Sequence, residues 1–309
     1  MNLLGMLFIT LSVMGGVIKG YCGKSVGTYA HTITDSAKLN FIRMVLCTAI
    51  SLAVLSLQGN FMKLFTVSPV ALIISLCAAT ASTIFIISWL MAVRGSAYML
   101  VSVFTNLGVI VPIVLSALFF GDPIGINQIL GLLILLVAIW LMLGYNKGLG
   151  GGLKVKDVIL LTVCSIANGV CDFFIGSTAR LGESLGTAFG ITDISVDKTV
   201  FNFYMYLFSF IILFAFTGIS SVAHHKAEIK ITGKILRYMV LMAIFLFVNT
   251  YFKSLAGGLL TSSQLFSFNT GGGLVLATLM ASIMFREKPT LKSIIGIILT
   301  FVALFVLKS

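Results

Sequence analysis

The sequence predicts an all-helical integral membrane protein of ten transmembrane helices, arranged as two inverted repeats of five. Three observations predict it. The 309 residues are 59% hydrophobic and only 9% charged, with a mean hydropathy of +1.14, where a soluble domain is about one quarter charged. Apolar runs long enough to cross a hydrocarbon core of roughly 30 Å recur along the whole chain. The second half of the chain repeats the first. A β-barrel would show alternating segments of about ten residues, and none is present.

The runs fall at roughly 2–19, 38–57, 67–93, 96–120, 125–144, 156–177, 198–218, 235–254, 257–285 and 289–307. The first, MNLLGMLFITLSVMGG, has neither a basic n-region nor a small-x-small cleavage site, so it is expected to remain as the first span. Most connections are short. The longer ones are YCGKSVGTYAHTITDSA, NKGLGGGLKVK, GSTARLGESLGTAFGITDISVD and SSVAHHKAEIKITGK, none of them large enough for a soluble domain. The glycine-rich stretch in the second of these is the natural midpoint. It divides the chain into a first five-helix repeat (1–146), a linker (147–153) and a second repeat (154–309).

Aligned without gaps at an offset of 165 residues, LVSVFTNLG (Leu100 to Gly108) falls on LFSFNTGGG (Leu265 to Gly273). In that register Ser102, Thr105, Gly108, Phe120 and Gly131 all meet identical residues, and Asp122 meets Glu287. Apolar composition gives chance matches of leucine and valine but not a shared Ser, Thr, Gly and acid. Earlier pairs agree with small gaps: GKSVGT with GESLGT, DSAKLNF with DKTVFNF, SVMGGV with SIANGV. Five spans is an odd number, so the second half must insert upside down, an arrangement typical of secondary transporters.

LSALFFGDPIGINQILGLLILLVAIWL and MASIMFREKPTLKSIIGIILTFVALFV, together with FIRMVL in the second span, resemble the drug/metabolite transporter superfamily in its EamA-like branch. Asp122 stands where glutamate is more usual. The resemblance covers nearly the whole chain and is specific for fold, not for solute. It implies a transporter, with export of amino acids or related metabolites as the family-level expectation.

Lys24, Arg94, Lys147, Lys154, Lys156, Lys226, Lys230, Lys234, Arg237, Arg286, Lys288 and Lys292 lie on one set of alternate loops. The other set holds Lys63, Arg180, Lys253 and Lys308, with Lys198 at a helix edge. The more basic set should face the cytoplasm, with both termini outside. The resemblance implies cytoplasmic termini instead, and the charge count is preferred here.

The net charge of +11 does not point to nucleic acid, because the basic residues lie in short loops and form no basic helix. No nucleophile elbow or metal-ligand spacing is present, and GLGGGLK lacks the strand and GK[ST] ending of a phosphate loop. No enzyme activity, cofactor or metal is expected. His224 and His225 read as solvated loop residues. Cys22, Cys47, Cys77, Cys164 and Cys171 read as small hydrophobes.

Ionisable residues inside spans are the informative ones, because lipid makes charge costly. Asp172 shares a helical face with Asn168 and Ser165. It suits proton coupling or a cationic group, or else reaches the interface from a helix end. Arg43 could hold an anionic group, pair with Asp172, or snorkel. Lys253, on the face of Asn249, is expected to snorkel. Ser102, Thr105 and Asn106 lie within about one turn of each other in the fourth span, with Gln264, Ser267 and Asn269 at comparable depth in the ninth. These nine residues (Arg43, Ser102, Thr105, Asn106, Asn168, Asp172, Gln264, Ser267, Asn269) are the expected substrate-binding set. Trp89, Tyr98, Tyr204, Tyr206 and Tyr251 are candidates for lining a cavity or anchoring at the interface. Both halves carry helix-breaking residues at matching depth: Gly108 and Pro112 in one, Gly271, Gly272 and Gly273 in the other, expected to act as hinges.

The expected function is secondary transport of a small polar or amphipathic metabolite across the cell membrane by alternating access. A multidrug or cationic-compound exporter is the alternative, and a non-transporting receptor or scaffold the alternative of another class. The expected partners are a small-molecule substrate, a coupling proton or ion and the lipid bilayer. A homodimer is left open.

Overall fold

The computed structural model describes residues 2–96, 98–143, 155–189, 196–222, 229–287 and 290–308. The expected linker at 147–153 and His224 and His225 lie outside them. All regular structure among the described residues is helical. In chain order the helices are α1 (Leu3–Gly27), α2 (Ile33–Leu57), α3 (Pro69–Gly95), α4 (Tyr98–Leu107), α5 (Ile110–Phe120), α6 (Ile126–Leu143), α7 (Val155–Gly176), α8 (Thr178–Phe189), α9 (Lys198–Val222), α10 (Gly233–Gly257), α11 (Ser262–Met284) and α12 (Leu291–Lys308), with a 3₁₀ turn at Phe61–Leu64.

Eight stretches are long and apolar enough to cross a membrane, counting α4 and α5 together as Tyr98–Phe120. Shorter apolar stretches, Ile129–Ala138 and Ile294–Ala303, lie in α6 and α12. Large apolar side chains such as Leu118, Phe214, Ile219 and Phe305 are exposed. In water such a surface would aggregate, and in a bilayer it meets lipid. The chain is a multi-pass membrane protein.

Helix starts follow local chemistry. Thr32 and Asp35 form a capping box at α2, and Thr261 and Gln264 form one at α11. Ser68 caps α3, with Pro69 in its first turn, where a missing N–H costs nothing. Asp35 and Asp197, matched in the sequence repeat, cap α2 and α9. Asp35 accepts from the N–H groups of His31, Thr32 and Ile229. Asp197 accepts from those of Thr199 and Val200 and from Lys63 Nζ at 3.0 Å. Burial alone would raise the Asp197 carboxyl, but the Lys63 and backbone donors outweigh it and hold it below its ordinary value.

Two boundaries differ from expectation. The first span runs to Gly27 rather than residue 19, so Lys19 and Lys24 are helical. Lys24 is spent at the far end of α3, where its ammonium donates to the carbonyls of Val93 and Ser96. The long loop after the sixth span is partly helix, α8, whose Arg180 forms a two-pronged bridge to Asp122 with both N–O distances 2.9 Å.

The tightest neighbours are α1 with α10, α6 with α12, α3 with α7 and α2 with α9. Glycines permit this. A Cβ on Gly15 of α1 would lie 3.0 Å from the Phe245 carbonyl oxygen of α10. Ser12 and Asn249 then lock the two helices by exchanging side-chain-to-carbonyl hydrogen bonds of 2.8 Å in both directions.

The fourth span is broken, as expected. Pro112 has no N–H to donate to the Gly108 carbonyl. The chain tightens there into i→i+3 bonds, Gly108 to Thr105 and Val109 to Asn106. Gly108 presses on α7, and a Cβ on it would lie 2.5 Å from the Ser165 carbonyl oxygen. The ninth span is a correction. α11 runs unbroken through Gly271, Gly272 and Gly273. Ala277 stands where the first half has Pro112, so the N–H that closes the turn over Gly273 is present. Glycine weakens a helix but removes no hydrogen bond.

Candidate functional site

α1, α3, α4, α7, α9, α10 and α11 line a cavity of about 140 Å³. In a bundle of this hydropathy its lining is unusually polar. It contains three charged residues, Lys19, Asp172 and Lys253, and four side-chain amides, Asn106, Asn168, Asn249 and Asn269.

Lys253 Nζ meets Asp172 Oδ1 at 2.7 Å, with the side chains 6% and 15% exposed. This corrects the snorkelling expected of Lys253. α10 turns the face of Asn249 and Lys253 inward, and a carboxylate on α7 is there to receive the ammonium. It also settles the partner of Asp172, which is Lys253 rather than Arg43.

Of the nine expected binding residues, Ser102, Thr105, Asn106, Asn168, Asp172 and Asn269 line the cavity. Asn168 donates from Nδ2 to the Thr105 carbonyl at 3.3 Å, at the turn where α4 ends. Arg43 does not line it. Its side chain is 2% exposed, neighbours Cys47 and Tyr206, and leaves Nε and Nη2 without partners. Gln264 is also outside the wall, closing the capping box at the start of α11. The Ser267 side chain lies outside the described residues. Gly273 lines the cavity, whereas Gly271 and Gly272 do not.

Among the aromatic candidates, Trp89, Tyr98 and Tyr206 face the cavity, and Tyr206 shares a hydrogen bond with Thr250. Tyr204 instead donates to the Leu64 carbonyl at 2.7 Å, and Tyr251 stacks on Phe247.

Sequence reasoning missed Lys19. Its ammonium lies 5.7 Å from the centroid of the Phe85 ring. The only signal was its setting: Gly16 and Gly20 flank it on α1 and both line the cavity.

At one end of the bundle Tyr98, Phe285, Tyr21 and Tyr238 pack ring on ring. Glu287, 8% exposed, accepts from the N–H groups of Tyr98 at 2.7 Å and Met99 at 3.0 Å. A carboxylate at a helix N-terminus is favoured by the dipole and by the unpaired donors there. Its repeat counterpart, Asp122, binds Arg180 instead.

Residues 3–144 match the model of the EamA-like transporter family, part of the drug/metabolite transporter superfamily. A crystal structure, described only as that of a protein, superposes with a TM-score of 0.63 over 99% of this chain and 96% of that one, at 12% identity. At that identity the likeness concerns the fold. No curated protein matches the chain.

Proposed function

We propose that this chain, EamA-like over residues 3–144, is a ten-span secondary transporter of two inverted repeats. It moves a small polar metabolite across the cell membrane by alternating access. The observation that carries the reading is the cavity. Three charges and four amides in the middle of an apolar bundle are expensive unless something polar passes through. A scaffold has no use for them.

The helix pairing supports two equivalent halves. With α1 matched to α7–α8, α2 to α9, α3 to α10, α4–α5 to α11 and α6 to α12, the contact of α1 with α10 has its counterpart in α7 with α3. Likewise α3 with α9 answers α2 with α10, and α1 with α11 answers α7 with α4 and α5. The halves nevertheless differ in shape. The fourth span is broken where the ninth is continuous, and α1 is continuous where α7 gives way to α8. Two equivalent halves in unequal shapes can exchange shapes, which turns the cavity to the other side. In that exchange α11 bends at Gly271–Gly273 and Asp122 takes over at the start of α11 the role that Glu287 has at α4.

The size of the cavity suits a solute of roughly benzene volume, in the range of a short amino acid. Export is the direction that the resemblance implies. The cationic-drug reading loses its basis, because Lys253 already neutralises Asp172, the one carboxylate among the described residues of the cavity wall. A proton arriving at Asp172 would release Lys253, and this is the proposed coupling step. If Asp172→Asn left pH-gradient-driven transport unchanged, that step would be wrong. The primary test is a thermal-shift screen of the purified protein against a metabolite library, followed by flux of the hits in proteoliposomes. Absence of flux for every stabilising solute rejects transport.

A further inference from the structure

The charges around the cavity do not balance. Lys19 has as its charged or titratable neighbours Arg43, Lys253, Asp172 and Cys171. Three of these groups, counting Lys19 itself, are cations, and one is a carboxylate. Lys253 holds that carboxylate at 2.7 Å. Among the described residues Lys19 forms no hydrogen bond or ion pair, and its ammonium lies 5.7 Å from the centroid of the Phe85 ring. Arg43 leaves two buried donors, Nε and Nη2, without partners. Of the residues in the cavity wall, Asn106 alone among those described has a buried polar atom without a partner, and that atom is also a donor, Nδ2.

A cation in a low-dielectric setting, unpaired and facing further cations, is stabilised when an anion joins it. The unmet groups on the wall are donors and positive charge, which is the complement of an oxyanion. Gly16 and Gly20 let Asn249 and Tyr98 close in beside Lys19, and Lys19 itself lines the cavity. At about 140 Å³ the cavity has room for one small carboxylate with a short side chain.

We propose that Lys19 and the Asn106 amide form an anion subsite, and that the transported solute carries a carboxylate that binds there. This rests on the transporter reading and narrows its substrate to small carboxylates, with or without an amino group. Arg43, one layer out beside Tyr206, adds positive field without touching the solute.

The test is a thermal-shift titration of the full-length protein in detergent, at fixed ionic strength, with sodium propionate, L-alanine, n-propylamine, glycerol and sodium chloride. Propionate or L-alanine should stabilise the protein, and n-propylamine and glycerol should not. Lys19→Gln should weaken the carboxylate response at least tenfold, while Lys19→Arg keeps it within about threefold. If Lys19→Gln fails to fold, Asn106→Asp serves: a carboxylate placed in the subsite should weaken propionate at least tenfold, and Asn106→Gln much less. Carboxylates that do not stabilise, or a Lys19→Gln protein that binds them as well as the parent, overturn the subsite. Chloride binding more tightly than propionate overturns the carboxylate assignment in favour of a halide. Flux of glycerol or n-propylamine that ignores Lys19 would sink the subsite and leave transport standing. Carboxylate binding without flux of any solute would do the reverse.

Discussion

Neutralising Asp172 should cost more than removing its partner. The two side chains are 15% and 6% exposed, so the pair is largely withdrawn from solvent. Removing one member of a buried pair costs about 3–5 kcal/mol, mostly because the other is left uncompensated. Asp172→Asn leaves Lys19 with the cations Arg43 and Lys253 as neighbours and, among the described residues, no carboxylate beside it. Its cost should be about 3 kcal/mol, at the low end because the carboxylate faces the cavity. Lys253→Met leaves Asp172 with Lys19 among its charged neighbours, and that ammonium has no other partner. The cost should fall to about 1 kcal/mol. The double variant, with neither charge, should lie within about 1 kcal/mol of the parent. At roughly 2 °C per kcal/mol for a chain of this size, thermal unfolding in detergent should drop by about 6 °C, about 2 °C and about 2 °C or less respectively. Equal losses in the two single variants would refute the assignment of Lys19 as the spare cation. Losses that simply add in the double variant would refute the pair itself.

Three further outcomes are expected. Glu287→Gln removes the charge from two hydrogen bonds to the start of α4, a loss of about 1.5 kcal/mol, so amide exchange at Tyr98 and Met99 should speed up roughly tenfold; unchanged exchange would show that Glu287 does not hold that end. Gly169→Ala drives a Cβ onto the Gly108 carbonyl, and yield of folded protein should collapse, whereas Gly273→Ala meets nothing within 4 Å and should fold as well as the parent or slightly better. Asp197 is held below its ordinary carboxyl value, so its contribution to stability is present above the unfolded carboxyl value and lost as pH falls through the folded one; Asp197→Asn should flatten the acid limb of a stability-versus-pH curve, and an unaltered limb would exclude it as a contributor.

Eight of the ten expected spans appear as helices long and apolar enough to cross a membrane, and they were legible because lipid imposes one rule, about 20 apolar residues per crossing. The break at Gly108 was legible for a similar reason, since Pro112 lacks a donor in any context. The unbroken α11 was misread because three glycines permit a bend without requiring one, and Ala277 supplies the N–H that Pro112 withholds. Lys19 was missed by ending the first span at its first charge. That rule fails where, as at Lys19, the residue lines a cavity. The pairing of Lys253 with Asp172 spans two helices from different parts of the second half, and no local pattern encodes which helix faces which. Arg43 was expected in the binding set as an intramembrane charge within FIRMVL, yet it does not line the cavity, and its helix, α2, packs chiefly against α9.

Among the five cysteines, Cys22, Cys47 and Cys164 are sealed between helices, Cys77 is exposed on α3, and Cys171 lines the cavity. The protein therefore carries its own chemical reporter at the proposed transport site. A membrane-impermeant thiol reagent added to one side of a sealed vesicle reaches Cys171 only when the cavity opens to that side. With Cys77→Ser to silence the outer thiol, labelling from each side in turn reads the direction of opening and, with the orientation of the inserted protein fixed independently, the sidedness of the bundle.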